Sequence, residues 1–418
     1  FTPPPPPRAA GGAGGGGGAP PPPPAALPAL CVTQITSWGI VYYAFPVLNP
    51  QITTATGWPT GATTAAFSAA LLVSAIAGIR VGRIIDRHGP RTVMTTGSVL
   101  GVVSILIIAS APNLPVFIAG WLLAGLAMAA TFYQPAFAAL TRWWAPDHVR
   151  ALTIVTLAGG LASTAFAPLT ATLAGHLSWR ATYAILALIL AAVTIPAHAL
   201  ALKAPWPEPS VSTESHASGG VEKAARTRPF WMLATTLTLS AFTVSAAVIA
   251  LVPLMTERGY TSTEAAWALG LGGAGQTLGR TLYATLARHT SPTTRTVTLV
   301  ALGALTTAAL AVAPGPYGLL VALSVAAGTV RGNLTLLQAT AITDRWGTTH
   351  YGRLSGLLAA PTTTAAAIAP FAGAVAAAPL GGYPQLFIAL AAISAAACMT
   401  GFKTTPTKTA GIGSAPGR

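Results

Sequence analysis

From Ala25 onward the chain alternates long apolar runs with short polar breaks. The runs are too long for strands and too uniformly apolar for one face of a soluble helix. Twelve can be bounded: 26–48, 61–81, 92–110, 115–143, 149–175, 180–202, 229–255, 263–287, 295–313, 318–343, 352–377 and 384–403. A helix needs about 20 apolar residues to cross a bilayer core. The pattern therefore predicts an all-α integral membrane protein with twelve transmembrane helices in two six-helix, pseudo-symmetric halves. The halves cover 25–203 and 229–403, joined by a Pro/Gly-bearing polar linker over 204–228. Residues 1–24 form a Pro/Gly tract that can bury nothing and is expected to be disordered, and 404–418 form a polar tail. The chain does not open on Met, so a fragment or a misassigned start is expected; no cleavable signal peptide is visible.

Composition sharpens this. Of 418 residues, 53% are hydrophobic, 7% are charged and only 8 are acidic, too little charge to cover a soluble protein of this size. A net charge of +14 would point to nucleic acid in a soluble chain. Here the basic residues sit in breaks between apolar runs, and 18 of the 22 fall on the side of both termini. By the positive-inside rule the termini are cytoplasmic and the protein lies in the cell membrane, with lipid as a partner and nucleic acid excluded. Cys31 and Cys398 lie in apolar runs at opposite ends of the chain, so neither a disulfide nor a metal site is expected. The glycines of the tail lack the Lys-Ser/Thr of a phosphate loop, and no catalytic constellation converges on the helices. The sequence thus predicts no enzyme and no cofactor, and a monomer is expected.

Three matches suggest duplicated halves. Arg87-His88 recurs as Arg288-His289 at an offset of 201, Pro168 as Pro370 at 202, and Arg142-Trp143 as Arg345-Trp346 at 203. Such repeats recur in secondary transporters, with the substrate between them. The densest charge cluster, Gly82 to Arg91, is expected to form the loop between the second and third runs. There Gly82 is expected to let its helix pack closely on a neighbour and Gly89-Pro90 to turn the chain. Asp86 stands at the unfavourable C-terminal end of a helix and needs a positive partner.

Gly82, Asp86, Arg87, Gly89 and Arg91 match the G-x-x-x-D-R-x-G-x-[RK] signature of the major facilitator superfamily, which the chain resembles over residues 25–403. Within it, Gly57-Trp58-Pro59-Thr60, the form DRHGPR, GGLAS in the fifth helix and the outer SWRATY are similar to the monocarboxylate and oxalate/formate branch. The drug/proton antiporter branch is less similar: Trp121 stands four residues before Gly125 where that branch carries Arg, and its Gly-Pro signature is reduced to Ala167-Pro168. The resemblance implies alternating access. It also implies a cytoplasmic charge lock in which Asp86 meets the start of the eleventh helix, near Tyr351 to Ser355, and an Arg such as Arg142.

Two charges fall inside apolar runs. Arg331 lies near the middle of the tenth, and Arg280 seven residues inside the predicted end of the eighth. A charge at that depth costs about 2.5 kcal/mol or more unless paired or facing water. None of the 8 acids falls in a helix centre, so an anion is the economical partner, and a guanidinium fork suits a carboxylate. The resemblance adds a substrate-related Arg in a Gly-Arg pair of the eighth helix, matched by Gly279-Arg280; the acid it expects near that helix's end is replaced by Ala287. A proton travelling with the substrate, a counter-anion in exchange, or uniport without a coupled partner is compatible with that loss. Gln276 shares a face with Arg280, Thr335 and Gln338 share one with Arg331, and Gln34, Trp38 and Tyr42 share one on the first helix. Tyr133 and Gln134 lie near the centre of the fourth helix. The expected substrate site is Arg280, Arg331, Gln276, Tyr42, Trp38, Tyr133 and Gln338; the expected gate is Gly82, Asp86, Arg87, Gly89, Arg91 and Arg142. The expected cargo is a small organic anion, with a neutral or amphipathic compound on the same fold as the alternative. His198 is expected to be a satisfied structural histidine.

Overall fold

In the computed structural model residues 23–144, 148–206, 225–346 and 351–404 are described, and those residues contain helices and no strands. The Pro/Gly tail up to residue 22, the linker from 207 to 224 and the polar tail from 405 lie outside them.

Twelve helical spans follow in order. The first, α1, runs as Ala26–Ser37, a π-helical turn Trp38–Tyr43, and Ala44–Thr56. Then come α2 (Thr60–His88), α3 (Pro90–Ser110), α4 (Leu114–Thr131 and Tyr133–Trp143), α5 (His148–Gly160 and Ala162–His176) and α6 (Trp179–Ala201). The second half has α7 (Arg228–Glu257), α8 (Ser262–His289), α9 (Pro292–Val312), α10 (Tyr317–Thr340), α11 (Tyr351–Leu380) and α12 (Tyr383–Gly401), with one extra turn, Thr343–Trp346, after α10. Ten of the spans, the broken α4 and α5 among them, are long and apolar enough to cross a membrane. The other two, α1 and α8, are interrupted by the π turn and diluted by Gly, Gln276 and Arg280 respectively. Both line the central cavity.

The breaks have chemical causes. Pro46 lacks an N–H, and its ring would collide with the Tyr42 carbonyl in a regular α-helix; the wide π turn ends at that point. Pro135 leaves the Thr131 carbonyl without its intrahelical donor, and α4 breaks at Phe132, where the backbone is extended. The buried Gln34 takes over, donating from Nε2 to the carbonyls of Thr131 at 2.7 Å and Phe132 at 3.3 Å. Gln34 was expected on the same face as Trp38 and Tyr42. Both Gln34 and Trp38 reach Phe132, but Gln34 is fully buried as a splint of α4 and does not line the cavity with Trp38 and Tyr42.

The signature segment also differs from expectation. It is not a loop: α2 continues unbroken to His88, and only Gly89, at φ +77°, separates it from Pro90 at the start of α3. Arg and Asp do not stop a helix; Gly-Pro does. A side chain at Gly82 would meet nothing within 4 Å, so the expected close packing there is corrected. The close approach of α2 is at Ala70, whose carbonyl lies where a Gly125 side chain would be.

The two halves touch on the side away from the termini. There Phe371 N of α11 donates to Ser68 Oγ of α2 at 3.1 Å, and Thr164 Oγ1 of α5 donates to the Gly270 carbonyl of α8 at 2.8 Å. On the same side Arg180 donates to the Ala111 carbonyl at 2.6 Å, and Arg258 to Leu310 and Ala311 at 2.7 Å. These two arginines, off the basic side of the chain, cap the C-termini of α3 and α9, where a cation is favoured.

Candidate functional site

A cavity of about 470 Å³ lies between the halves, lined from α1, α2, α4 and α5 on one side and from α7, α8, α10 and α11 on the other. Every residue expected to bind substrate lines it: Trp38, Tyr42, Tyr133, Gln276, Arg280, Arg331 and Gln338. No Asp, Glu or His is among its described lining residues.

The helices that carry the two arginines, α8 and α10, cross on glycine. A side chain at Gly328 or Gly332 of α10 would overlap the carbonyl of Gly272 or Gln276, and one at Gly275 or Gly279 of α8 the carbonyl of Val325 or Thr329. Small residues spaced in this way let backbones touch. Arg331 Nε then reaches Gln276 Oε1 at 2.7 Å, so Gln276 holds one edge of the guanidinium while Nη2 has no acceptor.

Arg280 lies nine residues from the end of α8 at His289, two more than expected because the helix runs on, and it is 6% exposed. Its Nη1 donates across the interface to the Thr156 carbonyl of α5, while Nε has no acceptor. Tyr133 of α4 faces the same guanidinium, as Tyr42 of α1 faces Arg331 and Ser245. Gly159 and Gly160 make this fit possible: a Cβ at Gly159 would overlap the Tyr133 hydroxyl, and one at Gly160 would stand 3.1 Å from Arg280 Nη1. These two glycines were not foreseen as site residues. Their signal was the adjacent pair in GGLAS, read only as part of a family motif.

The gate residues are less united. Arg142 Nη2 pairs with Asp86 Oδ1 at 3.4 Å, and Nη1 donates to the Asp86 carbonyl at 3.1 Å. Trp206 of the linker donates from Nε1 to that carbonyl at 3.2 Å and lies 4.7 Å below the Arg142 guanidinium, in a part of the chain expected to be plain linker. The Asp86 side chain is 63% exposed, so the ion pair itself contributes at most about 1 kcal/mol; much of the role of Arg142 is to cap the end of α2. Arg91 does not join this group, since its Nε donates to the Ala199 carbonyl of α6 at 2.9 Å. Arg87 is exposed. The side chains of Tyr351 to Arg353 and of Ser355, where the distal partner of the lock was expected, lie outside the described residues.

The second half carries a buried counterpart that sequence reading missed. Arg295, 3% exposed, pairs with Asp344 at 2.5 Å, and Arg345 donates to Thr296 Oγ1 at 2.8 Å. Burial pulls the Arg345 guanidinium down to about 10, with Asp344 opposing and Arg295 adding to the shift. Each residue stands at a helix boundary, where charge is commonplace; the pairing brings α9 to the turn after α10, a contact between segments 49 residues apart. His198 is fully buried and meets expectation on one ring nitrogen only: Nδ1 shares a 2.7 Å hydrogen bond with Ser98, while Nε2 has no partner.

Comparison with known proteins gives the same architecture. The Major Facilitator Superfamily profile matches residues 30–337. An uncharacterized MFS-type transporter of Bacillus subtilis, YcxA, is 28% identical over 162 residues, which is 38% of this chain and 38% of that protein. The match thus spans well under two thirds of that relative's length. A bacterial homolog of the human lysosomal transporter Spinster, in its inward-facing and occupied conformation, superposes with a TM-score of 0.72 at 12% identity, over 90% of this chain and 95% of its own. The nucleoside transporter NupG gives 0.68 at 12% identity, over 91% and 98%. At such identities the likeness is one of fold. None of these similarities reaches the monocarboxylate and oxalate/formate branch suggested by the motifs. With the profile matching about three quarters of its length and twelve helices around a central cavity, the chain belongs to the Major Facilitator Superfamily.

Proposed function

We propose that the protein is a secondary transporter that moves a small organic anion, in particular a carboxylate, by rocking its two halves about the central cavity. The observation that carries this reading is the pair Arg280 and Arg331. Both guanidinium groups line one cavity with no carboxylate among its described lining residues, and each keeps a nitrogen without an acceptor. A buried cation without a counter-charge is costly, and a carboxylate offers two acceptors to a guanidinium fork. The motif similarity to the monocarboxylate and oxalate/formate branch supports the same cargo class.

Coupling follows from the same lining. With no carboxylate among the described lining residues, a proton travels with the substrate, a second anion returns in exchange, or the substrate moves alone. The Asp86–Arg142 pair, with Gly89 as hinge, serves the gate on the side of the termini, which we assign to the cytoplasm of a cell-membrane protein from the distribution of Lys and Arg.

Uptake of a panel of radiolabelled carboxylates into proteoliposomes tests the proposal. Wild type accumulates at least one of them, and Arg280→Ala abolishes that uptake. Wild-type rates in both Arg280→Ala and Arg331→Ala would contradict it, and efflux of a neutral compound without any anion uptake would favour an exporter on the same fold.

A further inference from the structure

The wall of the cavity opposite the arginines is aromatic. Trp38, Tyr42 and Tyr43 of α1 and Phe132 and Tyr133 of α4 all line it. Trp38 and Phe132 stack with centroids 4.0 Å apart and planes at 19°. Tyr133 and Tyr42 tilt against the same indole at 5.2 and 5.3 Å. The two local distortions of the fold create this wall: the π turn carries Trp38, Tyr42 and Tyr43, and the α4 break carries Phe132 and Tyr133.

A small hydrated anion can meet the Tyr133 and Tyr42 hydroxyls beside the arginines but makes no use of the Trp38–Phe132 stack. Aromatic faces carry the negative part of the ring quadrupole and repel an anion, whereas they accept the positive edge of another ring. The volume points the same way, since about 470 Å³ is in the range of cavities that enclose drug-sized ligands, far more than a one- or two-carbon acid fills. A cationic ligand would suit the rings, but it would enter beside two guanidinium groups with no described carboxylate in the lining. A molecule with a carboxylate at one end and an aromatic ring at the other matches both walls. It would also join the halves, because the arginines belong to α8 and α10 and the rings to α1 and α4.

We propose that the cargo is an aromatic carboxylate, with its carboxylate on Arg280 and Arg331 and its ring against the Trp38–Phe132 stack. This rests on the anion reading above and adds the body of the molecule to its head group. Trp38 and Phe132 are then the residues that select by shape, and the arginines those that select by charge.

Calorimetric titration of the full chain in lipid nanodiscs, with 3-phenylpropionate, 3-cyclohexylpropionate, acetate and glycine betaine as probes, tests this. The expected order is 3-phenylpropionate first, acetate at least about tenfold weaker, and the cyclohexyl acid about two- to tenfold weaker than its aromatic analogue. Trp38→Leu brings the affinities for 3-phenylpropionate and 3-cyclohexylpropionate to within about twofold of each other, and a preference as large as in wild type contradicts the assignment; if that variant fails to fold, Phe132→Leu carries the same test. Equal binding of all three acids, each lost in Arg280→Gln, overturns the aromatic assignment and leaves the anion reading intact. Glycine betaine as the tightest probe, or a cyclohexyl acid equal to the phenyl acid, overturns it as well. If no acid binds, or Arg280→Gln binds every acid as wild type does, the anion reading falls with it.

Discussion

Arg280 is fixed from several directions: the Thr156 carbonyl receives its Nη1, Tyr133 faces it, and the glycines at 159 and 160 leave the room it occupies. Gly159→Ala, which adds one methyl group, therefore pushes the Tyr133 hydroxyl away from the guanidinium. The expected result is normal expression with anion uptake reduced about tenfold or more, since small displacements at a binding site carry large rate effects; an unchanged rate would show that Tyr133 plays no part. The two ion pairs on the side of the termini differ by burial. Asp86→Asn alters an exposed pair worth at most about 1 kcal/mol, whereas Asp344→Asn leaves Arg295, 3% exposed, without its charge partner at a cost of about 3–5 kcal/mol. Thermal unfolding in detergent should accordingly drop far more for Asp344→Asn than for Asp86→Asn. Arg280 and Arg331 were legible in the sequence because an arginine in an apolar run is conspicuous. The Arg295–Asp344 pair was not, because each residue lies at a helix boundary where charge is commonplace, and only the packing of α9 against the turn after α10 buries them.

Among the elements, α8 and α10 owe their contact to glycine. Gly332→Leu drives a side chain into the Gln276 carbonyl and separates Arg331 from Gln276. Overpacking of this kind typically costs about 1–3 kcal/mol, and the variant should show a lower unfolding temperature together with loss of anion binding. Gly82→Leu, facing open space, should leave the unfolding temperature unchanged. Helix existence was plain from apolar run length, but helix ends and distortions were not. The charged signature was read as a loop because its residues are polar, yet Ile84 and Ile85 continue the helix until Gly89 stops it. The π turn and the α4 break follow from Pro46 and Pro135, whose missing N–H groups act four residues upstream, a displacement that run length alone does not reveal.

At the scale of the whole molecule, the halves meet on the side away from the termini, through Ser68–Phe371, Thr164–Gly270 and the approach of Gly61 to Val375, whose side chain would stand 3.2 Å from a Cβ at position 61. A rocking transporter has to part these contacts in each cycle. In a background lacking Cys31 and Cys398, cysteines at positions 61 and 375 should form a cross-link that stops uptake, and reduction should restore it; continued uptake in the cross-linked protein would argue against rocking. The central claim is that Arg280 and Arg331 form the seat of an anionic cargo, and a thermal-shift screen of purified protein against carboxylates, oxyanions and amino acids tests it most directly. At least one carboxylate should stabilise the wild type and fail to stabilise Arg280→Lys, because a point charge on a flexible stem does not reproduce the guanidinium fork. A carboxylate that stabilises both proteins equally, or stabilisation by neutral ligands alone, would contradict it.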